Sequence, residues 1–218
     1  MAIKTLENYI SEHITKEDDH LYRLYRATNT KLLYGRMASG HVQGQLLKML
    51  VMMQRPKSIL EIGTFTGYSA ISMAEGLKQT GASDKSLVTF EINDEIEDFT
   101  RGWIDSSPVA NLIDFRIGDA LEEVPKLERT FDMAFIDGDK RRYLDYYLMV
   151  KKYMNPEGII LADNTLWDGH VLEDDSKDRQ TIGIKTFNDY VANDEEAEKV
   201  ILPIRDGMTI IRICKKTD

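Results

Sequence analysis

Acidic side chains recur in this 218-residue chain at the ends of short apolar runs. Glu61 lies in Ser58-Ile59-Leu60-Glu61-Ile62, and Glu91 follows Leu87-Val88-Thr89-Phe90. Asp119 follows the run ending at Ile117, Asp137 follows Phe131–Ile136, and Asp163 follows Gly158-Ile159-Ile160-Leu161-Ala162. A carboxylate at the end of a buried strand can accept hydrogen bonds from ribose hydroxyls. It can also hold a hard divalent cation, or simply cap the next helix. For any one acid, capping is the commoner role. Glu61, Glu91 and Asp119, in order at successive strand ends, favour a ligand.

Asp137 and the pair Asp163-Asn164 offer three oxygen donors from two runs. Such a set suits Mg²⁺ or a similar cation. Asp-Asn is also ordinary turn chemistry, and the residues alone leave both readings open. Lys140 stands three residues after Asp137 in Asp137-Gly138-Asp139-Lys140. A lysine is usually solvated, but beside a cation and a desolvated substrate its pKa would fall toward base work. The segment Glu61-Ile62-Gly63-Thr64-Phe65-Thr66-Gly67 places glycines where a tight turn and a close backbone approach are needed. It is not the dinucleotide pattern Gly-x-Gly-x-x-Gly, which disfavours a pyrophosphate.

With Tyr68-Ser69 added, that segment resembles the first motif of class I S-adenosylmethionine-dependent methyltransferases, and more narrowly the caffeoyl-CoA and catechol O-methyltransferase group. Three later segments agree in order: Phe135-Ile136-Asp137-Gly138-Asp139-Lys140, Asp163-Asn164-Thr165-Leu166-Trp167-Asp168-Gly169, and Leu202-Pro203-Ile204-Arg205-Asp206-Gly207-Met208-Thr209. The similarity runs from about Lys31 to the C-terminus. It implies a metal-dependent transfer of methyl from S-adenosylmethionine, leaving S-adenosylhomocysteine, to a hydroxyl of a small catechol-like phenol.

The resemblance also implies roles. Asp137, Asp163 and Asn164 would ligate Mg²⁺ or another divalent cation. Lys140 would be the catalytic base, with Asp137 beside it. Ser39, Glu61, Gly63, Thr64, Ser69, Glu91, Asp119, Ala120 and Asp139 would contact the cofactor. Trp167 and Asp168 would face the acceptor. The chain departs from the family pattern in having Gly138 where alanine is common, Val42 and Gln43 where acids are frequent, and Asp168 where asparagine is frequent.

The elements that must position these residues follow from periodicity. Helical spacing covers 4–14, 18–34 and 43–54, where Pro56 ends the last. Strands are predicted at 58–62, 87–90, 112–117, 131–136 and 158–162, with helices at 69–78, 94–105 and 143–154 between them. This alternation predicts an α/β fold, a single Rossmann-like doubly wound sheet, mostly parallel, with helices on both faces. After a helix at 181–192, Arg205-Asp206-Gly207 between 200–204 and 208–213 predicts a C-terminal antiparallel hairpin. The polar stretch 168–181 reads as a mobile loop, of a length that is often functional in compact domains. The length fits one methyltransferase domain, 1–218, in which 1–55 form a helical cover and 56–218 the cofactor-binding sheet.

Composition narrows the partners. The chain has 28 Lys+Arg against 37 Asp+Glu, a formal charge of −9. That balance disfavours nucleic acid, although Arg141-Arg142 and Lys151-Lys152 keep a tRNA-modifying methyltransferase acting on a hydroxylated uridine as the alternative. A cofactor-binding regulator without activity is disfavoured by the intact Asp137, Lys140, Asp163, Asn164 set. The one cysteine, Cys214, cannot form an internal disulfide. Met1-Ala2-Ile3-Lys4 opens no apolar leader, and no run is long enough for a membrane span. A cytoplasmic enzyme without a membrane partner is expected. Tyr- and Leu-rich helices near the N-terminus suggest a homodimer.

Overall fold

The computed structural model describes residues 5–214. Residues 1–4, on which the predicted opening of the first helix and the expected lack of an apolar leader fall, lie outside the described residues. The helices are α1 (Leu6–His13), α2 (Asp19–Lys31), α3 (Gly40–Gln54), α4 (Tyr68–Thr80), α5 (Glu97–Asp105), α6 (Ala120–Glu123), α7 (Tyr143–Tyr153) and α8 (Arg179–Ala192). The strands are β1 (Ile59–Ile62), β2 (Leu87–Glu91), β3 (Ile113–Ile117), β4 (Phe131–Ile136), β5 (Met154–Asp163), β6 (Ala197–Leu202) and β7 (Met208–Ile213). Short 3₁₀ turns at Lys140–Arg142 and Trp167–Leu172 interrupt the later connections.

The strands form one sheet in the order β3-β2-β1-β4-β5-β7-β6. β1 lies parallel to β2 and β4, and β4 lies parallel to β5. β7 is antiparallel to both β5 and β6. This is the mostly parallel Rossmann-like sheet with a C-terminal antiparallel pair that the sequence predicts. Strand order reverses between β1 and β4, and open α/β sheets bind ligands at the carboxyl ends of the strands flanking such a switch.

The chain forms two compact units. The helical unit runs through Arg55 and adds Thr64–Ser86 and Glu95–Asp114. Leu24, Leu47, Val51, Ile71, Leu77 and Ile104 are buried in it. Asp18 caps α2 by accepting from the His20 N–H at 2.8 Å. α3 stops at Arg55, which is left-handed and precedes Pro56. A proline disfavours helical geometry in the residue before it, so the break is local in origin.

The sheet unit comprises Pro56–Gly63, Leu87–Asp94 and the chain from Phe115. β1 and β2 are buried along their whole length, which is why apolar residues dominate them around Glu61, Thr89 and Glu91. Tyr143 and Tyr147 of α7 meet Phe187 of α8 edge to face, at 5.6 and 5.8 Å between centroids. These rings join Phe131, Ile136 and Ile160 in one apolar cluster.

Several boundaries differ from the sequence reading: α2 ends at Lys31 rather than 34 and α3 opens at Gly40 rather than 43. β5 opens at Met154 rather than 158. β6 covers Ala197–Leu202 rather than 200–204; Pro203 has no N–H to give a ladder, and the exposed Val200 and Ile201 lie on an edge strand. The stretch 168–181 is partly regular: a 3₁₀ turn reaches Leu172 and α8 begins at Arg179. Among the described residues, no helix is long and apolar enough to cross a membrane.

Candidate active site

The switch point of the sheet brings the chemistry together. Ile62 of β1 pairs with Ile136 of β4, so Gly63 and Asp137 leave the sheet side by side. The Asp137 N–H donates to the Ile62 carbonyl at 2.8 Å. Gly63 has φ +95°, and a Cβ there would lie 2.2 Å from the Asp137 carbonyl oxygen, so the close approach requires glycine. On the other side Ile136 pairs with Ala162 of β5, which sets Asp137 beside Asp163. Asp163 is buried. Asn164 follows at φ +56°, in the left-handed region that asparagine tolerates better than most residues.

Lys140 reaches back from the 3₁₀ turn after β4. Its Nζ donates to Asp137 Oδ1 at 2.7 Å and to the Tyr143 hydroxyl oxygen at 2.7 Å. Tyr143 is fully buried. Its hydroxyl donates to the Asp163 carbonyl at 2.9 Å. A phenol has one proton to give, so its oxygen accepts from Lys140. Burial, then the charges of Asp137 and Asp163, push the Tyr143 phenol well above its ordinary range, keeping it a neutral anchor. The sequence reading missed Tyr143. Its signal was the spacing Lys140-x-x-Tyr143, which puts both on one side of a helical turn.

The other predicted site acids of the sheet unit, Glu61, Glu91, Asp119 and Asp139, each have a partner. Glu61 is fully buried on β1, and its Oε2 accepts from Thr89 Oγ1 directly across the β1–β2 pair. Glu91 Oε1 accepts from the Asn93 N–H at 2.9 Å. Asp119 caps α6 through the Leu121 N–H at 3.0 Å, and its Oδ2 accepts from Arg142 at 2.7 Å. Burial pushes the Asp119 carboxyl up, but Arg142 and the Leu121 N–H outweigh it and hold the group below the usual range. Ala120, buried, opens that helix. Asp139 is held below the usual range chiefly by Arg141, whose Nε lies 2.9 Å from both carboxylate oxygens. Capping and ligand binding are therefore compatible here, since each carboxylate oxygen has a second lone pair.

Ser39, Thr64 and Ser69 belong to the helical unit, and all three are buried. Their segment is fixed locally: the Gly67 N–H donates to the Thr64 carbonyl at 2.9 Å, and Thr100 Oγ1 of α5 donates to the Phe65 carbonyl at 2.6 Å. Ser69 sits in the first turn of α4. A separate cleft of about 410 Å³ in this unit is lined by Glu17, Lys48, Tyr68 and Glu75 among others, and by none of the predicted site residues.

Trp167 and Asp168 both adopt positive φ, at 48° and 50°. Trp167 packs half-buried against the apolar cluster of the sheet, whereas Asp168 is exposed. The basic pairs are largely consumed: Arg141 by Asp139, Arg142 by Asp119, and Lys151 by Asp194 at 2.6 Å and Glu196 at 2.9 Å.

An O-methyltransferase family model matches residues 11–214. The chain belongs to the O-methyltransferase family. Within that family it is 34% identical over 202 residues to caffeoyl-CoA O-methyltransferase 2 of Zea mays, covering 87% of this chain and 75% of the relative. It is 31% identical over 218 residues to catechol O-methyltransferase of Niastella koreensis, covering 95% and 96%. Among solved structures, an O-methyltransferase from Bacillus cereus in complex with S-adenosylhomocysteine superposes with a TM-score of 0.87 at 27% identity, covering 95% and 96%. The chain is thus an O-methyltransferase of the caffeoyl-CoA and catechol type.

Proposed function

We propose that this O-methyltransferase moves methyl from S-adenosylmethionine to one hydroxyl of a small vicinal diphenol, with a divalent cation at Asp137, Asp163 and Asn164. The observation that carries this reading is Lys140 Nζ, held 2.7 Å from Asp137 and 2.7 Å from the Tyr143 hydroxyl at the ends of adjacent strands. The donor set fits a hard cation, being two carboxylates and a carboxamide. Among the described residues no three His, Cys, Asp or Glu side chains cluster as a metal site, so the set depends on the Asn164 amide oxygen and on water.

A sulfonium donor supplies the methyl group, and a bound divalent cation supplies positive charge beside the acceptor oxygens. The chain's own residues do the rest. Glu61, Gly63, Glu91, Asp119, Ala120 and Asp139 of the sheet unit hold the donor. Lys140, once its ammonium has released a proton to solvent, would as the neutral amine take the proton of the acceptor hydroxyl, because a neutral phenol with a pKa near 10 is a poor nucleophile. Tyr143 keeps Nζ pointed at the reacting oxygen. Trp167 walls the aromatic ring, and Asp168 lies at the acceptor's edge. Most of the rate comes from position and charge. The tRNA alternative loses its basic surface to the ion pairs of Arg141, Arg142 and Lys151.

The test is methyl transfer to a vicinal diphenol with and without a chelator. Turnover that the chelator stops supports the reading. No turnover, or turnover indifferent to the chelator, overturns it. The same reading takes the chain as a cytoplasmic homodimer, supported by exposed Leu6, Tyr9, Tyr22 and Tyr25 on α1 and α2. Sedimentation at one chain mass would refute the dimer.

A further inference from the structure

The turn that carries Asn164 is held from outside its own strand. The Leu166 and Trp167 N–H groups donate to the Asp206 carbonyl at 2.7 and 3.1 Å, and the Thr165 N–H donates to the Gly207 carbonyl at 3.1 Å. Thr209 Oγ1 bonds Thr165 Oγ1 at 2.8 Å, with both residues buried. Asn188 of α8 donates to the Thr165 carbonyl at 2.8 Å. The tip of the β6–β7 hairpin therefore clamps residues 164–167. Gly207 makes the approach possible: it has φ +88°, and a Cβ there would lie 2.5 Å from Leu166 Cγ and 2.7 Å from the Leu166 nitrogen.

One side chain of this tip points at the proposed cation site. Asp206 Oδ2 lies 3.5 Å from Asn164 Nδ2. A carboxylate only accepts, so it selects the amide face that donates. With Nδ2 turned to Asp206, the Asn164 carbonyl oxygen Oδ1 faces the other way. An amide presented in the opposite sense would offer the cation two hydrogens instead of a lone pair.

We infer that Asp206 is a positioning residue that orients the Asn164 amide so that Oδ1, not Nδ2, faces the cation. The backbone clamp fixes where Asn164 sits, and the Asp206 carboxylate fixes which way its amide points. The inference rests on the cation site proposed above and assigns to it a residue outside the donor set. Partners of this kind typically change metal affinity by about 10–100-fold when removed.

The test is Mn²⁺ binding to the full chain, read from the free-ion electron paramagnetic resonance signal, with S-adenosylhomocysteine affinity measured in parallel. Asp206→Ala keeps every backbone bond of the clamp and is expected to weaken Mn²⁺ binding by about 10–100-fold. Asp206→Asn can still present an acceptor oxygen and is expected to recover most of that loss. S-adenosylhomocysteine affinity is expected to stay at the wild-type value in both. Equal Mn²⁺ affinity in wild type and Asp206→Ala overturns the positioning role while leaving the cation site standing. Loss of S-adenosylhomocysteine binding together with Mn²⁺ also overturns it, because that is general loosening. No Mn²⁺ binding by the wild type removes the cation site itself, and the role of Asp206 with it.

Discussion

Replacing Gly183 by alanine sets two effects of known size against each other. Gly183 lies inside α8, where alanine favours the helix by about 0.8–1.0 kcal/mol. The new methyl, however, would meet backbone: 2.3 Å from the Lys140 carbonyl oxygen and 2.8 Å from Arg141 Cα. Cβ contacts are not found below 3.0 Å and are ordinary at 3.4–4 Å, so α8 and the Lys140 turn must separate by about 0.7–1.1 Å. Overpacking of this kind costs about 1–3 kcal/mol. The net expectation is a loss of about 0–2 kcal/mol, set by subtracting the helix gain from the overlap cost. The larger effect is on catalysis, because the atom displaced belongs to the residue that carries the proposed base. A misplacement near 1 Å can cost about 100-fold in rate. Urea unfolding and turnover of Gly183→Ala check both numbers. A variant more stable by about 1 kcal/mol with wild-type turnover would refute the tight packing of α8 on the Lys140 turn.

Three further outcomes follow from the same contacts. Tyr143→Phe removes the hydroxyl between Lys140 and the Asp163 carbonyl; the unfilled acceptor costs about 1–3 kcal/mol, and turnover falls while the Michaelis constant for S-adenosylmethionine stays put, as steady-state kinetics would show. Asp194 is pushed up by burial but held below the usual carboxylate range by Lys151 and Tyr147. Its folded pKa is lower than its unfolded one, so its stabilisation is complete above about pH 4 and is lost as pH falls through the folded value. Urea midpoints measured from pH 7 down to pH 3 should drop less steeply for Asp194→Asn than for wild type, and parallel curves would count against the network. Asp178→Ala deletes the side chain that accepts from the Thr181 N–H at 2.8 Å and should lower the midpoint of thermal and urea unfolding, whereas Asp178→Ser, which keeps a capping oxygen, should recover most of that loss.

The sheet is legible in the amino-acid sequence. β1, β2, β4 and β5 are legible because buried parallel strands are apolar on both faces, which leaves runs of Ile, Leu, Val and Phe bounded by glycine and acid. The acids at their ends are legible for a related reason. Glu91 and Asp163 are the last residues of β2 and β5 and Asp137 follows β4 directly, and at the end of a parallel strand such a group has arrived at the ligand-binding edge. The Asp-Gly signal of the β6–β7 hairpin is a backbone requirement, and it held, although Pro203 trimmed the first strand.

Tertiary structure alone decided who partners whom. No spacing rule says that Arg142 reaches Asp119, that Glu61 meets Thr89, or that the Asp206 loop clamps the turn of Asn164, because these contacts join segments set by strand order. Gly183 shows the same limit. In the chain it is only a helix-weakening glycine, whereas the bond from Lys140 to Tyr143 spans three residues and is local. Only when α8 packs on the Lys140 turn does the missing methyl become the space that the Lys140 backbone occupies. Local propensity and burial are properties of short segments and can be read from them. Hydrogen-bond geometry between distant segments depends on register and helix packing to a fraction of an ångström, and that information exists only in the folded chain.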